Sequence, residues 1–430
     1  MSARWEVTTV DLSDAGGFHL ADVSVPAEAG LAGASRRSIS AAQALLTAWF
    51  PTLPVATLAQ TTDAATVRLG PTSRSLTDSP LTQAGFLEGL FADRGIGPAH
   101  LRLVRNRENR ERGTALVTNG TLGRSFVHGG ALATQLDAGF TAVVDGIDLR
   151  DESSMRLAEA AERVFGCTVN INAYLSLRPE MSFGAHWDDH EVIIVQLVGG
   201  KHWIVEQPVA LSMAKESHPE ATSGKVAWEG DLTVGQALYV PRGWGHRVRS
   251  NDALSLHYTI TMPRLNGLEV LTRVLADPSG RGHPAERIDL SDPAAGTVAA
   301  ARLAARAGEA EIRWAMARQR AEMTSRSTQR LSELRAFTAG TAEQSWVRSP
   351  VSAGWVVADA TTDTVTVSVG GHHVRIGGAA LELLALHGDG VVRGIEPSAE
   401  ERSIVTALTR HGLLQVGSGD PGWGLAFSPG

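Results

Sequence analysis

The chain has 430 residues, enough for two or three domains of ~100–200 residues each. Hydrophobic residues make up 43% and charged residues 20%, which excludes a disordered chain, a collagen-like chain and a coiled-coil rod. A net charge of −7 excludes a whole-chain basic footprint for nucleic acid, and the single cysteine, Cys167, excludes an internal disulfide framework or a thiolate cluster.

No stretch approaches the ~18 apolar residues of a membrane span, and the opening MSARWEVTTVDLSDAGG lacks the apolar core of a secretory signal. No membrane partner and a cytoplasmic location are therefore expected. Residues 1–100 carry no catalytic constellation and form an N-terminal region with no role readable from the residues. Ser40–Trp49 reads as a helix stopped by Pro51, and Pro80–Phe91 as a second. His100–Val104 and Phe140–Val144 read as strands. Glu152–Phe165 is an amphipathic helix closed by Gly166. Short strands follow at Thr168–Ser176, Gly184–Asp188, Val192–Leu197, Lys201–Gln207, Asp231–Val240 and Ala253–Met262. Many short strands with Gly/Pro turns predict an all-β barrel or sandwich over 101–264.

After Pro263 the pattern becomes helical, at Leu265–Leu275 and Val298–Phe337, setting off a region 265–340. The second stretch holds eight arginines against four acidic residues, read as a solvated face or as a surface for an acidic partner. Its apolar stripe (Leu303, Ile312, Met316, Met323, Leu331, Leu334) is more than one short chain segment buries alone, which predicts a homodimer. Residues 341–430 read as strands, a helix at Ala380–His387, a helix at Ser398–His411 opened by a Ser398/Glu401 capping box, then strand, turn, strand: a winged-helix layout. From Arg375 onward four arginines face six acidic residues, a balance that opposes phosphate binding, so no direct nucleic-acid contact is expected.

The chemistry lies in the centre. His186 and Asp188 are two apart, the spacing that puts both on one strand face. Fifty-eight residues after Asp188, the run GQALYVPRGWGHRV ends a strand and delivers His246. Two histidines and one carboxylate in this arrangement fit the facial triad of Fe(II) oxygenases, though the same ligands suit zinc hydrolysis. Lys201 begins the strand after the Gly199-Gly200 turn, and Trp203 shares its face. A lysine is an uncommon choice here, three against thirty-six arginines, and at this position it can clamp a distant carboxylate. His202 and Trp203 are read as barrel packing, and Cys167 as a buried strand-entry residue.

These residues carry a family resemblance. Asn172-Ala173-Tyr174-Leu175, His186-Trp187-Asp188-Asp189-His190, Val195–Trp203 and Leu238–His246 resemble JmjC-type 2-oxoglutarate oxygenases, in the ribosomal-oxygenase branch of cupin-like proteins that includes the nucleolar histidyl hydroxylases. The resemblance covers roughly 100–265. It implies a double-stranded β-helix (cupin/JmjC jelly roll) with flanking helices, a helical dimerisation region and a C-terminal winged helix. It also implies that His186, Asp188 and His246 hold Fe(II), and that Lys201 pairs with the far carboxylate of 2-oxoglutarate. Asn172, Tyr174 and Thr259 would line the same pocket, with His190 on the substrate side. His257 is read either as another lining residue or as a buried structural histidine. The implied reaction couples O₂ and 2-oxoglutarate decarboxylation, giving succinate and CO₂, to hydroxylation; Asp188 favours this over halogenation. The expected substrate is an arginine or histidine side chain of a protein or peptide, such as a basic ribosomal protein attracted to an acidic enzyme. The rival readings are a hydroxylase of a small molecule or biosynthetic peptide, and a non-enzymatic metal-binding cupin regulator. Methyl-lysine demethylation ranks lower, because nothing points to an aromatic cage.

Overall fold

Glu191–Val198 is an apolar run without polar alternation, as expected of a strand covered on both faces. Val192 and Ile194 turn one way, into a cluster with Trp203, Val205, Leu232, Leu238, Val240 and Trp244. Ile193 and Val195 turn the other way and pack with Leu46, Trp49, Leu157 and Ala161 from helices. That sandwich of helices, large sheet and small sheet positions everything below.

The computed structural model describes residues 5–9, 19–22, 24–60, 68–72, 100–105, 108–110, 116–119, 124–150, 152–179, 183–208, 222–251, 254–265, 267–276, 309–323, 329–351, 354–361 and 363–419. It divides into two compact units, residues 42–264 and residues 1–41 with 265–430.

In the first unit, eight strands form one sheet in the order Arg68–Pro71, Gln236–Val240, Glu191–Val198, Ser255–Met262, Asn170–Ser176, Thr141–Val144, Leu101–Arg105, Glu108–Arg110. A second sheet has the order Val226–Thr233, Gly200–Glu206, Gly245–Ser250. All of these pairings are antiparallel. The helix Glu152–Phe165 forms as the sequence predicts and ends at Gly166, whose φ of 67° is the left-handed turn a glycine permits. Gly199, at φ 62°, makes the turn between Glu191–Val198 and Gly200–Glu206; a Cβ there would lie 2.2 Å from the Leu254 carbonyl oxygen.

Two strand expectations need correction. Asp231–Val240 is not one strand but two, Val226–Thr233 in the small sheet and Gln236–Val240 in the large one, joined by a turn at Gly235 with φ 84°. Gly184–Asp188 is no regular strand: one isolated bridge, His186 to His246, is its only pairing. Gly184 itself has φ 69°, outside extended geometry. Gly245–Ser250, a strand whose Gly-His-Arg-Val-Arg-Ser composition gives little strand signal, was not anticipated.

In the second unit, a five-stranded antiparallel sheet runs Glu6–Thr9, His372–Gly377, Thr364–Val369, Val356–Ala360, His19–Leu20. Leu31, Trp355, Val365, Val367, Leu384 and Leu408 fill its core. Ala399–Arg410 starts with the expected capping box, both hydrogen bonds present. The strand after it, Gln415–Ser418, pairs with Ser345–Arg348 far upstream. The helical stretch expected over Val298–Phe337 contains two described helices, Glu309–Glu322 and Leu331–Ala339. Ser40–Trp49 is the end of a longer helix, Pro26–Trp49, which starts on its proline. Pro80–Phe91, Leu303 and Trp423–Phe427 lie outside the described residues.

Candidate metal centre

His186 and His246 meet across two backbone hydrogen bonds, His186 N–H to His246 O at 3.1 Å and His246 N–H to His186 O at 2.7 Å. Asp188 reaches the same point, so one ligand atom from each of the three residues lies within 4.8 Å of the others. Asp188 Oδ2 is 3.9 Å from His186 Nε2 and 3.5 Å from His246 Nε2. The Nδ1 of His186 sits 3.1 Å from the Gly184 carbonyl, and the Nδ1 of His246 3.1 Å from the Trp244 carbonyl. A carbonyl can only accept, so Nδ1 carries the hydrogen in each ring and the Nε2 lone pairs face each other and Asp188.

The electrostatics suit the same purpose. Burial lowers His246 to about 4, with His186 adding to the effect, so its imidazole is neutral at neutral pH. Burial pushes the Asp188 carboxyl up, but His246, His190 and His186 outweigh it and hold it below its usual value. Neutral imidazoles and an ionised carboxylate are the protonation states that a divalent metal requires. The residues present therefore fit a metal with nitrogen and oxygen preference, ferrous iron or zinc among them.

Strand register organises the rest of the cavity. On the large sheet Asn172 pairs with Thr259, Tyr174 with His257, and Ser176 with Ser255. Side chains two apart share a face, so these are three successive rows. Thr259 is half-buried, whereas His257 is 3% exposed and Ser255 fully buried, so the rows run from mouth to floor. At the floor, Lys201 from the small sheet is 2% exposed and donates from Nζ to Ser176 Oγ at 3.2 Å. Ser176 in turn lies 2.8 Å from Thr141 Oγ1. Burial lowers Lys201 to about 7. Burial and the neighbouring Lys201 hold His257 well below its ordinary value.

The aromatic rings link floor to metal. Tyr174 stacks on His257, with centroids 4.7 Å apart and planes at 5°. Phe183 lies 6.1 Å from Tyr174 and 5.8 Å from His186. Trp203 lies 5.7 Å from His257 and 6.1 Å from His246. Trp203 Nε1 and His257 Nδ1 are buried without a hydrogen-bond partner among the described residues. A buried ammonium with one hydroxyl partner, beside two unsatisfied ring nitrogens, fits a guest rich in acceptor oxygens.

Several of the expected site residues are also tied to groups outside the metal cluster. Asn172 Oδ1 accepts from the Gly146 N–H at 3.1 Å, so its carbonyl end holds the chain after Thr141–Val144. His190 Nε2 lies 3.9 Å from Asp188 Oδ2, beside the cluster but not within it. His202 is a correction. It does not pack in the barrel but faces outward, 2.8 Å from Asp231 and 3.2 Å from Glu229, because alternation gives the interior to Lys201 and Trp203. Cys167 is buried, as expected.

Sequence reasoning missed Ser176, Thr141, Arg102 and Asp145. Ser176 carried a signal, two residues beyond Tyr174 on the same face. The other three carried none: Arg102 and Asp145 form a two-bond ion pair at 2.8 and 2.6 Å, and the guanidinium stands against the Tyr174 hydroxyl.

Comparison with known proteins covers this part of the chain. Residues 144–270 match the JmjC domain. A 125-residue stretch is 31% identical to the bifunctional lysine-specific demethylase and histidyl-hydroxylase NO66 of Caenorhabditis briggsae, covering 26% of this chain and 16% of that protein. A 110-residue stretch is 37% identical to ribosomal oxygenase 2 of Bos taurus, covering 25% of this chain and 24% of that protein. The chain thus spans less than a quarter of the length of these curated relatives. The fold matches the X-ray structure of E. coli YcfD over 85% of this chain and 98% of that one, with TM-score 0.50 and 16% identity. Over residues 144–270 the chain is thus similar to JmjC domains, its fold is the mostly β, cupin-type fold, and the curated proteins it matches there are named ribosomal oxygenase and bifunctional lysine-specific demethylase and histidyl-hydroxylase.

Proposed function

We propose that the protein is an Fe(II)- and 2-oxoglutarate-dependent hydroxylase. The observation that carries the reading is the pairing of two sites in one cavity. His186, Asp188 and His246 converge at the mouth, and Lys201 is buried at the floor beside unsatisfied polar atoms. His186, Asp188 and His246 would hold iron on one face and leave the other face for co-substrate and O₂. When bound, iron with 2-oxoglutarate supplies the oxidising chemistry, consuming O₂ and releasing succinate and CO₂.

The chain's own residues bind, orient and exclude water. Lys201, protonated in the presence of a carboxylate, would pair with the far end of 2-oxoglutarate, helped by Ser176. Trp203 Nε1 is a donor only and suits the same carboxylate or the keto-acid oxygens. Tyr174, Asn172 and Thr259 would set the walls of the co-substrate site. His190, near the ligands and 30% exposed in its side chain, would face the substrate. His257 would act mainly by stacking Tyr174 in place.

The substrate reading is a protein side chain, arginine or histidine, with a basic ribosomal protein as the partner suited to a chain of net charge −7; the words histidyl-hydroxylase and ribosomal oxygenase in the relatives' names support histidine and the ribosomal partner, while the first of them is also named a lysine-specific demethylase. Residues 265–340 would pair two chains. Met316 at 46% and Leu331 at 80% exposure are apolar surface that such pairing would cover. The helices Ala379–His387 and Ala399–Arg410 with strands Arg393–Gly394, Ser345–Arg348 and Gln415–Ser418 would serve as a winged-helix module for protein docking. Among the described residues no helix is long and apolar enough to cross a membrane, and a cytoplasmic enzyme is the reading adopted.

The test is anaerobic addition of Fe(II) and 2-oxoglutarate, watching for the visible charge-transfer band of an iron-bound keto acid. The band should appear with the intact protein, vanish in His186→Ala and weaken in Lys201→Ala. Absence of the band, with tight zinc binding or none, would leave a metal-binding or regulatory cupin instead.

A further inference from the structure

The His186–Asp188 segment supplies two of the three candidate ligands but is not a strand. Its backbone is tied by the His186–His246 bridge and by one further bond, Gly243 N–H to Asp188 O at 2.9 Å. One side-chain tie joins the same two segments. The Arg242 guanidinium grips Asp189 Oδ1 through both Nε and Nη2. Asp189 is the neighbour of ligand Asp188, and Arg242 lies in the turn that delivers ligand His246. The pair is largely shielded, with side-chain exposures of 28% for Arg242 and 15% for Asp189.

We infer that Asp189 and Arg242 are positioning residues, a clamp that sets the distance between the ligand segments and decides which of two consecutive aspartates meets the metal. The inference rests on the metal-centre reading given above. Asp188 and Asp189 are equally acidic by type and adjacent in sequence. With Oδ1 of Asp189 held by two guanidinium nitrogens, the carboxylate is neutralised and turned away, and Asp188 alone faces the histidines. Without the clamp, three backbone bonds are what the described residues offer to tie the ligand segment to the turn, and a second carboxylate competes a residue away. Partners of metal ligands at this remove commonly change metal affinity by ~10–100-fold when removed.

The clamp predicts an order of effects. Arg242→Gln should be the more damaging change, because it leaves a shielded carboxylate unpaired beside the site. Asp189→Asn should be milder, since an amide oxygen still accepts from the guanidinium. The double variant should resemble Asp189→Asn more than the sum of both. Arg242→Lys should restore part of the loss, as a point charge without the fork.

The experiment is titration of the full-length apo-protein with Co(II), reading affinity and the d–d absorption bands that report coordination geometry. Thermal unfolding of each apo-variant confirms that the barrel is intact, and Arg242→Lys serves if Arg242→Gln does not fold. A tenfold or greater loss in Arg242→Gln, with altered bands and partial rescue in Arg242→Lys, supports the clamp. Wild-type affinity and bands in both Asp189→Asn and Arg242→Gln overturn it while leaving the metal centre standing. No Co(II) binding by the wild-type protein overturns the metal centre and the clamp with it.

Discussion

The two ends of the cavity are built by opposite means. At the floor, Lys201 sits on a regular strand, its direction set by alternation and its surroundings by desolvation. At the mouth, His186 and Asp188 sit on an irregular segment fixed by a bridge, a turn and an ion pair. Desolvation makes Lys201 wait for an anion. Stitching makes the mouth hold a shape. A site that takes a small dicarboxylate needs the first property at one end, and a site that takes a metal needs the second at the other.

The strongest test of that contrast is removal of a ligand. Asp188→Ala should abolish Co(II) binding, a loss on the order of 100-fold or more, while the apo-protein still unfolds in a cooperative transition. Equilibrium dialysis and a thermal scan check both halves.

Lys201→Met should raise stability and weaken co-substrate binding. With Lys201 near 7 in the fold and near 10.5 when unfolded, the buried charge costs stability in full below pH 7, and the cost is relieved as pH rises from 7 toward 10.5. The Met variant should therefore unfold later than wild type, by about 2–4 °C for each kcal/mol recovered, with the gap widest below pH 7. It should also lose 2-oxoglutarate affinity by at least ~10-fold, the usual scale for a charged hydrogen bond. Calorimetry across pH 6–9 would show wild-type affinity falling as the amine deprotonates and the variant's profile flat.

Gly199→Ala should lower stability by about 1–3 kcal/mol, from the left-handed backbone and the close approach to Leu254 O, measured by denaturant unfolding. Ser176→Ala is expected to have the smallest effect: a few-fold weaker 2-oxoglutarate binding, with Lys201 retained but less well aimed.

The legibility of this molecule in its sequence followed the same division. Lys201, Tyr174, Asn172 and Thr259 were expected from the family resemblance of their motifs, and the strand register, which sets Asn172 beside Thr259 and Tyr174 beside His257, is compatible with it. The helix Glu152–Phe165 could be placed because its apolar stripe and terminal glycine agree. The irregular mouth could be recognised by residue type but not by geometry: spacing suggested a strand where Gly184 bends the chain. Arg242 and Asp189 stood in the open within both motifs, yet nothing local says they meet, since 53 residues separate them. The pairing of Gln415–Ser418 with Ser345–Arg348 was hidden for the same reason, being a contact between segments rather than a property of either.

The Gly199 turn carries one more consequence. Lys201 and His202 are chain neighbours, one buried against Ser176 and the other outside against Asp231 and Glu229. The length of the turn between the two sheets, with the register of Gly200–Glu206 in the small sheet, assigns them these sides. A single inserted residue at the turn, with the downstream pairing slipping to match, would trade an amine for an imidazole at the cavity floor. The preference for a dicarboxylate would then be lost without any change to a pocket residue. In that sense the turn works as a reading frame for the cavity: its count of residues, more than their chemistry, determines which side chain the co-substrate meets.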